Sequence, residues 1–210
     1  MGLSIHYSGL LRNYTLIENL ITECEDISKS LDWDYHIREK KSNANDDVHL
    51  SNSAFINYAI EDLKGISFTP KESETVSLVF FPSGILCSPV KLMYNDPATN
   101  DLMVETVSVK TQYAGMDVHL TILKLLQYLK DKYFSVFELS DEGMYWETKD
   151  IEVLKTQFAR YDFIVNSMTD ALKDFKASPG ETPESLADRL EELLKNNSVI
   201  WNRNISLLRS

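Results

Sequence analysis

At 210 residues, with 43% hydrophobic and 25% charged side chains, the chain has an ordinary globular composition and enough length for one sizeable core. A formal net charge of -11 argues against a duplex nucleic-acid target, which needs a basic surface, and fits either a basic protein partner or plain solubility. No uncharged apolar run approaches the roughly 20 residues of a membrane span, and the first residues lack a signal-peptide pattern, so a cytoplasmic protein is the expectation.

The chain opens with alternation: Leu3, Ile5 and Tyr7 against Ser4, His6 and Ser8, a half-buried strand. Thr15 followed by Glu18 matches a capping box, which predicts a helix whose inner stripe is Ile17, Leu20, Ile21, Cys24, Ile27 and Leu31. Glu18, Glu23, Glu25 and Asp26 make its outer face acidic, as a solvated face would be. Trp33, Tyr35 and Ile37 then alternate with Asp34, His36 and Arg38, completing a β-α-β unit. Residues 39–50 read as a polar loop, and 51–63 as a short helix or a loop anchor.

Ile66 and Phe68 form a short strand ended by Pro70. The run from Val76 to Phe81, apolar but for Ser77, predicts a strand buried on both faces. Ser83-Gly84 is a turn, and Ile85 to Tyr94 reads as a returning strand that Pro89 makes an edge or interrupts. Residues 95–101 form a second polar loop.

The strongest fold signal runs from Val104 to Thr148. Val107, Val109, Thr111 and Tyr113 alternate with Ser108, Lys110 and Gln112 as a strand; Gly115 breaks it, and Asp117 caps a helix. That helix carries Val118, Ile122, Leu125, Leu126, Leu129 and Tyr133 on one broad stripe. Phe137 and Leu139 alternate with Glu138 and Ser140 in the next strand. Beyond it, Ile151 to Phe175 keeps a three-four apolar spacing, and Pro179-Gly180 ends that helix. Thr182-Pro183-Glu184 starts another, so an antiparallel helical hairpin is expected.

The fold class is therefore α+β: a mixed, largely antiparallel sheet of about five to seven strands. Its β-α-β units carry helices mainly on one face. The division is residues 1–148 for the sheet domain and 149–210 for a C-terminal helical hairpin packed on it.

Chemistry has two candidate locations. Asp141, Glu142 and Glu147 gather around Gly143, Tyr145 and Trp146 in a loop after a strand, a favoured place for function. They suggest a hard-cation site, an acid/base pair or a partner-binding surface; the spacing fits no EF-hand. The plainer reading is a glycine turn with the aromatics packed beneath it and Thr148 or Asp150 capping the next helix. The second location is the sheet face opposite the helices, expected to carry His6, His36, Ser67, Thr69, Ser108, Lys110, Gln112 and Glu138. It reads as a ligand or partner face, or simply the solvent side of a one-sided sheet; His6 and His36 approach one another only if their strands are neighbours.

His119 has no sequence-local partner of H-E-x-x-H type, and the two cysteines, Cys24 and Cys87, show no zinc or C-x-x-C spacing. No phosphate-loop, dinucleotide-binding or nucleophile-elbow motif occurs, so no cofactor or catalytic residue is assigned. The expectation is a non-enzymatic, acidic interaction protein of accessory or immunity type with a basic partner. The rival is a metal-dependent or small-molecule enzyme using loop 140–150, and a nucleic-acid mimic ranks third.

Overall fold

The computed structural model describes residues 3–39, 62–94, 102–173, 182–189 and 191–192. The protein is α+β. A three-stranded antiparallel sheet has β1 (Ser4–Leu11) at its centre, between β6 (Val107–Lys110) and β7 (Phe134–Asp141). A four-stranded antiparallel sheet runs β2 (Asp34–Arg38), β3 (Lys64–Thr69), β4 (Val76–Phe80), β5 (Leu86–Cys87). A single bridge from Leu10 to Ile85 joins the two, beside the bond from Leu11 N–H to the Gly84 carbonyl.

Both predicted β-α-β units are present, but neither joins adjacent strands. Helix α1 (Ile17–Ser30) carries the chain from β1 in one sheet to β2 at the edge of the other. A six-residue helix α2 (Pro89–Tyr94) follows β5, and α3 (Gly115–Tyr133) then carries the chain from β6 to β7, with β1 paired between them. The alternation of buried and half-exposed residues along β1 follows its sequence pattern, and Ile5 and Tyr7 are enclosed.

One cluster unites both sheets with α1 and α3: Ile5 and Tyr7 meet Leu20, Ile21 and Cys24 of α1, Phe68 and Leu78 of the second sheet, and Ile122, Leu126 and Leu129 of α3. Strand β4 is buried on both faces, as its run of apolar residues, broken only by Ser77, requires. Leu78 and Phe80 enter the main cluster, while Val79 and Phe81 join Leu63, Cys87 and Val104 in a second. Burial raises both thiols, Cys24 and Cys87, to about 12, with Glu23 and Glu105 respectively adding to the rise, so both are inert core residues.

Four local expectations change. Thr15 is not the cap of α1: the Asn13 side chain accepts from the Thr15 amide at 3.0 Å and starts a short 3-10 turn, Tyr14–Leu16, that leads into the helix. Thr15 lies two residues after Asn13 and supplies the amide, not the cap, and Leu16, which precedes the first residue of α1, offers no side-chain cap. Pro89 begins α2 rather than interrupting a strand, as its fixed φ and missing N–H favour a first helical turn. The strand expected through Tyr113 ends at Lys110; Tyr113 is exposed and Gln112 is buried rather than on the open face. Gly115, at φ +82°, is the first residue of α3, and Asp117 sits inside the first turn instead of capping it.

Beyond β7 come α4 (Tyr145–Thr148) and α5 (Ile151–Lys173), started by Asp150, whose Oδ1 accepts from the Glu152 amide at 2.8 Å. Leu154 and Phe158 anchor α5 against Leu3. Residues 183–189 are helical. The rest of the expected hairpin, the loop expected at 39–50 beyond its first residue, the short helix or loop anchor expected at 51–63 up to residue 61, and the loop expected at 95–101 lie outside the described residues. Among the described residues no helix is long and apolar enough to cross a membrane.

Candidate functional site

The acidic loop holds itself together. Asp141 is buried at the end of β7. Its Oδ1 accepts from the Gly143 amide at 2.7 Å, and its Oδ2 accepts from the Tyr145 and Trp146 amides at 2.8 and 3.0 Å. These amides open α4, so the carboxylate serves as the cap that a four-residue helix needs. Glu147 reaches back and accepts from the Asp141 amide at 3.1 Å. Glu142 points away and accepts from the Ser4 amide at 2.8 Å. Three carboxylates that look clustered in sequence thus diverge onto separate backbone donors. Among the described residues no group of acidic, histidine or cysteine side chains converges as a metal site would require.

Asp141 also closes a buried chain that the sequence hid. His119 Nε2 lies 3.0 Å from Asp141 Oδ1, and His119 Nδ1 lies 2.6 Å from Thr111 Oγ1. With Asp141 ionised, Nε2 donates to it, and Nδ1 accepts the threonine hydroxyl. Burial pushes the Asp141 carboxyl up, but the bonds from His119 and from the Trp146 and Gly143 amides outweigh it, so its pKa lies below the usual carboxylate range. Hydroxyl, imidazole and carboxylate stand in the order of a nucleophile, its base and an orienting acid. Thr111 and His119 are both wholly enclosed, however, and the threonine sits 3.3 Å from the Leu3 carbonyl. No reactant reaches such a hydroxyl; the chain pins the start of α3 to the ends of β6 and β7. A Cβ on Gly143 would stand 2.6 Å from Leu154 Cδ1 and 2.9 Å from His119 Nε2, so only glycine fits this turn.

Tyr145 and Trp146 are half-buried against the main cluster. The Trp146 ring has Lys149 Nζ at 4.2 Å and Lys130 Nζ at 5.4 Å from its centroid.

The open face of the β1 sheet carries His6, which shares a 2.9 Å bond with Ser108 Oγ and has Glu142 Oε1 at 3.9 Å. Lys110 lies over the Tyr113 ring, and Glu138 is exposed on β7. His36 is on β2, in the other sheet, where it pairs in register with Ser67. The strands of His6 and His36 are therefore not neighbours, and the polar face does not bring these two histidines together.

A site not foreseen lies between α1 and α3, an open groove of about 910 Å³. Glu23 projects into it and accepts from the phenols of Tyr128 and Tyr133, each at 2.5 Å, and from Lys132 Nζ at 2.8 Å. Burial raises the Glu23 pKa, and the bonds from Lys132, Tyr128 and Tyr133 more than reverse that. Burial and the bond to Glu23 lift Tyr133 to about 12. Asp26 also lines the groove; no described side chain hydrogen-bonds its carboxylate, and Lys29 of the same helix attracts it electrostatically. Leu31 and Tyr128 supply exposed apolar surface at 43% and 44%. The acidic outer face of α1 was legible in sequence; that Tyr128 and Lys132 of a distant helix would face it was not. The chain matches no family model, no curated protein and no solved structure.

Proposed function

We propose that this is a non-catalytic interaction protein that engages a basic, amphipathic segment of a partner protein in the groove between α1 and α3. The observation that carries this reading is the composition of that groove. It pairs exposed apolar surface from Leu31 and Tyr128 with the carboxylate of Asp26, which no described side chain hydrogen-bonds, and the rigidly held carboxylate of Glu23. Apolar contact would supply affinity and the carboxylates orientation and rate, which is how charged grooves select basic helices. The net charge of -11 adds long-range attraction for the same partner. The enzyme reading finds less support, because the residues placed for chemistry at loop 140–150 are spent on backbone amides and the buried Thr111–His119–Asp141 chain has no approach.

The test is a calorimetric titration with an amphipathic helical peptide, leucine on one face and lysine on the other, at low and high salt. Binding that weakens with salt, and weakens about tenfold or more in Asp26→Lys, supports the reading. Equal affinity in the variant, or no heat at any salt, refutes it.

A further inference from the structure

The two outer strands of the β1 sheet end differently. The outer edge of β6 is closed: Lys110 N–H donates to Glu74 Oε2 at 2.8 Å, and Glu74 N–H donates to the Lys110 carbonyl at 2.9 Å. β7 has no such cover along its middle. Its register with β1 pairs Ser140 with His6 and Glu138 with Ser8, and the Glu142 amide donates to the Ser4 carbonyl. The residues two apart in this series, Glu142, Ser140 and Glu138, therefore turn their peptide groups toward β1. Asp141, Leu139 and Phe137 turn theirs outward. Glu147 takes the Asp141 amide, and at the other end the register shifts between Leu10 and Leu11, a bulge that twists the strand. Between these two closures, no described residue bonds the outward amides and carbonyls of Phe137 and Leu139. Edge strands are ordinarily blunted along their length by lysine, proline or cover, and β7 contains neither residue.

The geometry points to β7 as a strand-accepting edge: we propose that an extended segment of a partner protein, bearing lysine or arginine, adds beside Phe137–Leu139 as one more strand. Its side chains on the helix side would cover the half-exposed Phe137 and Leu139. Its side chains on the open side would pass Val136, which is 53% exposed, then Glu138 and Glu142. The Glu138 carboxylate selects a cation beside it, whereas Glu142 turns inward to the Ser4 amide, and the main-chain bonds supply sequence-independent affinity. A second copy is the poorer occupant, because the register that pairs Phe137 with Leu139 sets Glu138 against its own mate, between two chains each carrying -11. This edge is separate from the α1–α3 groove, and the inference stands on backbone geometry without that reading.

The experiment uses the full chain and a short acetylated peptide of alternating valine and lysine. Amide hydrogen exchange is followed by NMR with and without the peptide. Protection of the Phe137 and Leu139 amides is expected, with the groove amides unchanged. Leu139→Pro removes an outward N–H while leaving the bonds to β1, and should weaken the peptide about tenfold. Glu138→Lys should weaken the lysine peptide and spare a valine-serine peptide, which keeps the inference testable if the proline variant folds poorly. Unprotected Phe137 and Leu139 amides in saturating peptide overturn it. So does a chain that sediments as a dimer and is dispersed by Leu139→Pro, since the occupant is then a second copy.

Discussion

His119 and Asp141 meet at 3.0 Å between Nε2 and Oδ1, with both side chains wholly enclosed, and this contact fixes where α3 begins relative to where β7 ends. It also explains why an acidic loop that resembles a cation site serves a structural end. One carboxylate accepts from an imidazole and three amides, so His119 and the loop's own backbone hold the turn in place.

Asp141→Asn is expected to destabilise the protein by about 1.5–3 kcal/mol at neutral pH, because the side-chain NH2 replaces half of a charged acceptor and leaves buried donors unpaired. The Asp141 pKa is lowered in the folded state, so its contribution is fully present above the unfolded value of about 3.9 and is lost as pH falls through the folded value. Urea denaturation from neutral pH to below pH 3 should show an acid limb that flattens in the variant. An unchanged midpoint at neutral pH would show that the carboxylate is replaceable.

Tyr7 and Ser77 make a second long-range join. The phenol donates to the Ser77 carbonyl at 2.9 Å and accepts from the Ser77 amide at 3.1 Å. β5 pairs only with Val79 and Phe80 of β4, so it does not extend to Ser77, and one hydroxyl takes the place of a strand there. Burial holds the phenol far above its ordinary pKa, and it stays protonated. Tyr7→Phe leaves two buried backbone groups unpaired and should cost roughly 1–3 kcal/mol by chemical denaturation. A cost near zero would mean that water replaces the hydroxyl.

At the start of α1, Asn13→Ala is expected to cost about 1 kcal/mol, because it removes the acceptor for the Thr15 amide. Thr15→Ala should change the melting midpoint very little, since only the backbone of Thr15 takes part. The reverse ranking would restore the capping box that the sequence suggests.

Much of the fold was readable because the buried faces obey simple periods. The alternation in β1 and the stripe Ile17, Leu20, Ile21 and Cys24 lie where their patterns put them, and the strand expected from Val76 to Phe81 runs from Val76 to Phe80. The division into two sheets was not readable, because β1 keeps the same pattern whether its neighbour is β2 or β6. The site was harder. His119 occupies an apolar helix face, and a buried imidazole demands partners, which is the signal that was available. Its partners Thr111 and Asp141 lie 8 and 22 residues away and meet it only because β6 and β7 flank the start of α3. The groove depends on Glu23 facing Tyr128 and Tyr133 across two helices more than a hundred residues apart, which no local spacing encodes.

The central claim is tested most directly by mapping amide chemical shifts while the leucine-lysine helical peptide is titrated in. The account predicts perturbations clustered on the groove walls, at Asn19, Asp26, Ser30 and Leu31 of the α1 side and Tyr128 and Lys132 of α3. Loop 140–150 should stay unperturbed. Shifts confined to that loop, or none at saturating peptide, would contradict it.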